Sequence, residues 1–176
     1  VIKFVDAEIN ASQGIFDTQT NIYSIMFRAV NAHLGPFNIF GNINLKGQMH
    51  KKTNGSTYKG NIELSNFWIN REKLDFLALS YVIADKKIKF TGDSQNGLHV
   101  SGAANFKLYP KMQFEKVTVK NNKQIFNLTG SLSSENLNFS FDGKSLDSQI
   151  LADIFDLPFD MSGAVNFNLK AAGNIS

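Results

Sequence analysis

The chain has 176 residues, of which 43% are hydrophobic and 19% charged, with a formal net charge of +3. That is long enough for one domain with a sizeable core, and the balance excludes both a disordered chain and an ordinary membrane-spanning protein. The mild positive charge lies on scattered lysines and does not favour nucleic acid, while zero cysteine excludes a disulfide framework and a thiolate metal site.

Val1–Ile9 reads as a strand, followed by a turn around Ser12-Gln13-Gly14. Ile22–Val30 is the next strand, with Tyr23, Ile25 and Phe27 on one face. Gly35-Pro36 breaks the chain before Phe37–Lys46, where Phe37, Ile39, Gly41, Ile43 and Leu45 alternate with Asn38, Phe40, Asn42, Asn44 and Lys46. The tip His50-Lys51-Lys52-Thr53-Asn54-Gly55 carries an Asn-Gly hairpin signal. Tyr58, Gly60, Ile62 and Leu64 form the apolar face of the returning strand.

Phe67-Trp68-Ile69 follows, then a turn at Asn70-Arg71-Glu72-Lys73, a strand over Leu74–Ile83, a turn at Asp85-Lys86-Lys87 and a strand over Ile88–Gly92. Ser94–Gly97 turns into Leu98–Leu108, with Leu98, Val100, Gly102, Ala104, Phe106 and Leu108 against His99, Ser101, Ala103, Asn105 and Lys107. Met112–Val119, Ile125–Leu132 and Leu137–Phe141 continue the series, with bends at Asn121-Asn122 and Ser133-Ser134. Turn signals this closely spaced mark an all-β chain.

Ser145–Phe155 departs from the period of two: Leu146, Ile150, Leu151, Ile154 and Phe155 fall at helical spacing, Ser145 or Asp147 can cap the start, and Pro158 ends it. Such a helix must bury its stripe, and plugging or capping the open apolar face is a simpler reading than a regulatory role. Phe159–Ala171 then alternates again, with Phe159, Met161, Gly163, Val165, Phe167, Leu169 and Ala171 on one face. One design recurs, a one-sided strand with a glycine inside its apolar face. The expected fold is mainly β: a long curled antiparallel sheet forming an open groove, with one short helix near 145–156.

No constellation for catalysis emerges. His33, His50 and His99 lack metal-ligand spacing, no serine sits in a Gly-x-Ser-x-Gly elbow, and no phosphate-cradling glycine loop precedes a helix. The expectation is a non-enzyme without cofactor or metal. The glycines at 41, 60, 92, 102, 130 and 163 read as bends or bulges that curve the sheet. Lys51-Lys52, Lys86-Lys87 and Lys120/Lys123 read as solvated loop tips. The most apolar window, Leu74–Ala84, is too short to cross a bilayer. Both ends carry strand-like sequence, so residues 1–176 are expected to be a single all-β segment excised from a longer, repeat-like protein.

Asn136-Leu137-Asn138-Phe139, then Leu146–Leu157, then Met161–Ile175 resemble the repeat of the TamB family and the wider AsmA-like superfamily. That repeat runs from a short strand to a short helix ending in leucine, then to an apolar-Gly-x-apolar-x-apolar strand and a glycine. The runs Gly60–Phe67 and Leu98–Gly102 are similar to its strand repeats, whereas Val1–Asn31 departs from it. The resemblance implies an envelope protein of diderm bacteria, periplasmic and anchored in the inner membrane, with a curled "β-taco" sheet whose groove carries phospholipid between the membranes. For the TamB family it also implies a role in assembling outer-membrane β-barrel proteins.

The expected function is therefore a segment of a lipid conduit that buries phospholipid acyl chains. The residues expected to line it are Ile39, Ile43, Leu45, Ile62, Leu64, Leu98, Val100, Phe106, Leu108, Phe139, Val165, Phe167 and Leu169. The alternative is a periplasmic scaffold that binds outer-membrane β-barrel proteins through exposed strand edges, which would also allow edge-to-edge self-association. A third possibility is a passive solenoid spacer with a filled interior.

Overall fold

Side chains that alternate between apolar and polar over most of a chain can bury their apolar halves only on one side of a common sheet. The computed structural model describes residues 2–4, 7–34, 37–53, 55–74, 76–108, 111–133, 135–154 and 156–174. Its strands are β1 (Ile2–Phe4), β2 (Ala7–Asp17), β3 (Ile22–Leu34), β4 (Phe37–Lys52), β5 (Gly55–Ile69), β6 (Glu72–Leu74), β7 (Leu77–Ala84) and β8 (Lys87–Ser94). They continue as β9 (His99–Leu108), β10 (Lys111–Asn121), β11 (Gln124–Leu132) and β12 (Asn136–Asp147), then helix α1 (Ser148–Ile154) and β13 (Ala164–Asn174). All thirteen belong to one antiparallel sheet in chain order, except that β6 pairs only with β5, which also pairs with β7. The path starts at β1 and ends at β13 without closing into a barrel.

The register carries apolar rows across the sheet. Leu45, Ile62, Leu79, Gly92, Val100, Val119, Phe126, Gly143 and Phe167 are successive backbone partners from β4 to β13. A parallel row runs from Tyr23 through Gly47 and Gly60 to Tyr81. Tyr23 and Tyr81 stand three strand spacings apart, roughly 14 Å along a flat sheet, yet their hydroxyls touch. The two rings fold inward over the intervening glycines. A Cβ on Gly47 would lie 2.5 Å from the Tyr23 hydroxyl and 2.6 Å from that of Tyr81. These glycines are the floor on which the two tyrosines meet.

Bulges keep the apolar face continuous where strict alternation would lose it. Asn66, at φ 48°, inserts one residue into β5, so that Phe67 and Ile69 rejoin the face of Leu64. The β10 ladders shift register between Phe114 and Val117, and Ser145, at φ 52°, does the same between Gly143 and Leu146. Each bulge also adds local twist, which curls a long sheet. The curl brings distant strands together: the β5–β6 turn reaches α1, although β5 and β12 are six strand spacings apart, roughly 29 Å if flat.

The curled sheet has no second layer. Its accessible surface is 11407 Å², against ~8,600 Å² for a compact monomer of 19.6 kDa. Among the described residues the buried apolar side chains are only Leu77, Tyr81, Val100, Ala104 and Ala152. The long one-sided sheet and single helix expected from the alternation are therefore present, and the sheet is open.

Several element boundaries differ from the sequence reading. Ser12-Gln13-Gly14 is not a turn but part of β2, where a register shift between Ala11 and Gln13 absorbs the irregularity. Glu72 and Lys73 are not in the turn: they form β6, and Asn70-Arg71 alone make the reversal. The helix starts at Ser148, capped by the Asp147 carboxylate accepting from the Gln149 amide at 2.9 Å, while Ser145 is a bulge residue. The last strand starts at Ala164, not Phe159. The Met161 amide donates to Gln149 Oε1, the Gly163 carbonyl accepts from Ser148, and Gly163 has φ 109°, so this stretch is laced to the helix instead of a neighbouring strand. Lys51, Lys52, Lys87 and Lys120 lie in strands, not turns. Gly35-Pro36, Asn54, Ser134 and Phe155 lie outside the described residues.

Replacing Gly47 by valine is expected to force the Tyr23 and Tyr81 rings apart and to destabilise the chain by about 1–3 kcal/mol in urea unfolding, the usual range for overpacking. A loss below about 0.5 kcal/mol would show that the tyrosines can lie elsewhere without penalty.

Candidate functional site

The concave face of the curled sheet contains a hollow of about 360 Å³, lined by Phe16, Tyr23, Leu45, Tyr58, Ile62, Tyr81, Ile83 and Ile88. These residues come from β2, β3, β4, β5, β7 and β8, and none carries a charge. Its volume lies at the small end of the 300–1,000 Å³ range typical of ligand sites. A hollow of about 430 Å³ lies at the opposite flank, between the ends of β10 to β13. It is lined mainly by serines, asparagines and small residues with Lys111, an open gap between strand ends without converging charges. The apolar trough is the better candidate, because it continues the buried rows of the sheet.

Three phenols give the trough its polar atoms. Tyr58 packs edge-on against Tyr23, with ring centroids 6.3 Å apart. Burial of Tyr81, followed by its hydrogen bond to Tyr23, raises its phenol well above the ordinary value. Further along the face, aromatic rings replace hydroxyls. The Phe139 ring lies where a Cβ on Gly130 would stand, and the Phe167 ring does the same over Gly143. Phe126 contacts both Phe141 and Phe167, at 5.9 and 6.4 Å between centroids.

Of the residues expected to line a groove, Leu45 and Ile62 line the hollow itself. Ile39, Ile43, Leu64, Val100, Phe139, Val165 and Phe167 share its sheet face by register but lie beyond it, and Leu98 extends the β8–β9 end of that face. Leu169 shares the face on edge strand β13 and is 47% exposed. The β9–β10 ladder shifts register between Asn105 and Leu108, which places Phe106 inside the shift, two residues beyond Ala104 of that face, and the side chain of Leu108 lies outside the described residues. Phe16, Tyr23, Tyr58, Tyr81, Ile83 and Ile88 belong to the site although they were not among those expected. The signal was available in the alternation of Tyr58, Gly60 and Ile62, but only the strand pairing shows which stretch of the face remains hollow.

The end of the trough beside α1 is fastened by Arg71. Its guanidinium donates to the Ala152 and Leu157 carbonyls at 3.3 and 2.7 Å, and it pairs with Asp153 and Asp156 at 3.3 and 3.4 Å. Ala152 and Ser148 are fully enclosed there. The helix is therefore tied to the β5–β6 turn at that end.

Among the described residues no group of three His, Cys, Asp or Glu could hold a metal. His99 bonds Asp93 through Nδ1 at 2.8 Å, and His50 is exposed. Hydrogen bonds from Lys87, then from Asn105, hold the Glu115 carboxyl below its usual range, an arrangement of the exposed surface. No helix among the described residues is long and apolar enough to cross a membrane. Compared with protein-family models, curated proteins and solved structures, the chain matches none of them.

Two outcomes test this geometry. The stability that Tyr81 contributes through its phenol should be complete below pH ~10, the free phenol value, and fall as the pH rises past it, because the unfolded chain releases the proton first. Absorbance titration at alkaline pH should show one tyrosine ionising only on unfolding, and Tyr81→Phe should remove that phase. Arg71→Ala should raise amide exchange across Ser148–Ile154 by about tenfold or more while changing global stability by less than about 1 kcal/mol, since its ion pairs are partly exposed. Unchanged exchange would show that the helix is held by other contacts.

Proposed function

We propose that this chain is a segment of a lipid conduit, in which a phospholipid acyl chain lies in the apolar trough of a curled sheet. The single observation that carries the reading is an uncharged hollow of about 360 Å³ on the concave face of a sheet that has no covering layer. Exposed apolar faces of this extent mark binding sites, and a flexible acyl chain fits an uncharged trough. Each methylene moved from water into the trough gains about 0.8 kcal/mol. Apolar rows that continue beyond the hollow to β13 offer the chain similar surroundings along its path. The likeness of residues 136–175 to the TamB and AsmA-like repeat supports the same reading, and with it a place in the bacterial envelope, between the inner and outer membranes.

A second reading rests on a separate observation. Strand β13 is eleven residues long and pairs on only one side among the described residues, which leaves backbone donors and acceptors available to a client strand. A scaffold for outer-membrane β-barrel proteins would use that edge, and so would self-association of the chain.

Photocrosslinkers separate the two. A crosslinker replacing Ile62 in cells should yield phospholipid adducts, whereas one replacing Asn168 on β13 should yield protein adducts only if the edge is used. Ile62→Glu should abolish lipid co-purification in native mass spectrometry, with Lys59→Glu on the opposite face as the control that retains it. Phospholipid bound equally to Ile62→Glu would sink the conduit.

A further inference from the structure

We propose that the Tyr23–Tyr81 hydroxyl pair is a hydrogen-bonding station for the ester carbonyl at the head of an acyl chain lying in the trough. The inference rests on the conduit reading and adds the group that recognises the polar end of the chain. Two touching hydroxyls hold two hydrogens, and one of them satisfies their mutual bond. Tyr81 is only 3% exposed, whereas Tyr23 is half-buried. Either hydroxyl can donate to the other, and with the buried Tyr81 donating to the more exposed Tyr23, the Tyr23 hydroxyl hydrogen is left for a ligand.

The surroundings select the acceptor. The hollow is lined by aliphatic and aromatic side chains without a cation, so a carboxylate entering it would lose hydration with nothing to neutralise it. A neutral ester carbonyl needs one donor and little else. The pair is also built into the backbone. Gly47 and Gly60 lie between the two tyrosines in one row, and a Cβ at either position would collide with a tyrosine hydroxyl, at 2.5 Å for Gly47 and 2.8 Å for Gly60. The volume suits one chain better than a paired-chain lipid buried whole, so the remainder of a glycerolipid would stay on the open side.

The test is calorimetric titration of the whole chain with methyl laurate, dodecane and laurate near neutral pH. Methyl laurate should bind at least about fivefold more tightly than dodecane, as one net hydrogen bond provides. Tyr23→Phe should erase that preference, so that ester and alkane bind alike, while Lys59→Gln, on the opposite face of β5, should retain it. Should Tyr23→Phe not fold, the carbonyl stretch of methyl laurate bound to the unaltered chain decides, since it should move to lower frequency than in hydrocarbon. Equal binding of ester and alkane would overturn the station while the conduit stands. Laurate binding more tightly than the ester would overturn the assignment of a neutral acceptor, and failure of all three to bind would overturn the conduit reading with it.

Discussion

The structure depends on one unmet demand: a long sheet with an apolar face and no second layer to cover it. In a β-sandwich the two inner faces bury each other across about 10 Å. Here the strands follow one another in chain order, so the face can only turn toward itself. Curling brings the β5–β6 turn to α1, a contact that a flat sheet of this register could not make. The accessible area left over measures how incompletely the demand is met.

Curling a sheet crowds its concave side, and glycine with an aromatic neighbour resolves the crowding. Phe67 lies over Gly41, Phe90 over Gly102, Phe139 over Gly130 and Phe167 over Gly143, while two tyrosines share Gly47 and Gly60. In each case one backbone partner lacks a side chain and an aromatic ring occupies the space. The many phenylalanines and the glycines within strands are therefore two halves of one packing solution, and a larger residue at either half would open the curl. The helix serves the same end at one rim, where Ala152 is small enough to be enclosed and Arg71 ties the helix to a strand far away in the sheet.

Few polar groups reach the hollow. The hollow's polar atoms are a few phenols, no other ionisable acid or base lines it, and the Lys87–Glu115 ion pair and the His99–Asp93 hydrogen bond stay among exposed side chains. The outer face is not wholly polar, however. Phe40 and Trp68 pair there, half exposed, with Lys73 held 5.6 Å over the indole ring. The bulge at Asn66 puts Trp68 outside, whereas unbroken alternation from Leu64 would have placed it in the trough.

The residue pattern by itself determined the class of fold, because a period of two allows only strands, and the short run around Leu146, Ile150 and Leu151 allows only a helix. It also determined the apolar face to which Leu45 and Ile62 belong. What it could not determine was where alternation slips, since a bulge is set by the partner strand as much as by its own residues; Asn66, the Phe114–Val117 step and Ser145 each needed the ladder to be seen. Nor could it reveal the late start of β13, where hydrogen bonds from Ser148 and to Gln149 hold residues 161–163 away from the sheet. The meeting of Tyr23 with Tyr81 was beyond it for the same reason: residues 58 apart in sequence become neighbours only once three ladders have fixed their row and set two glycines between them.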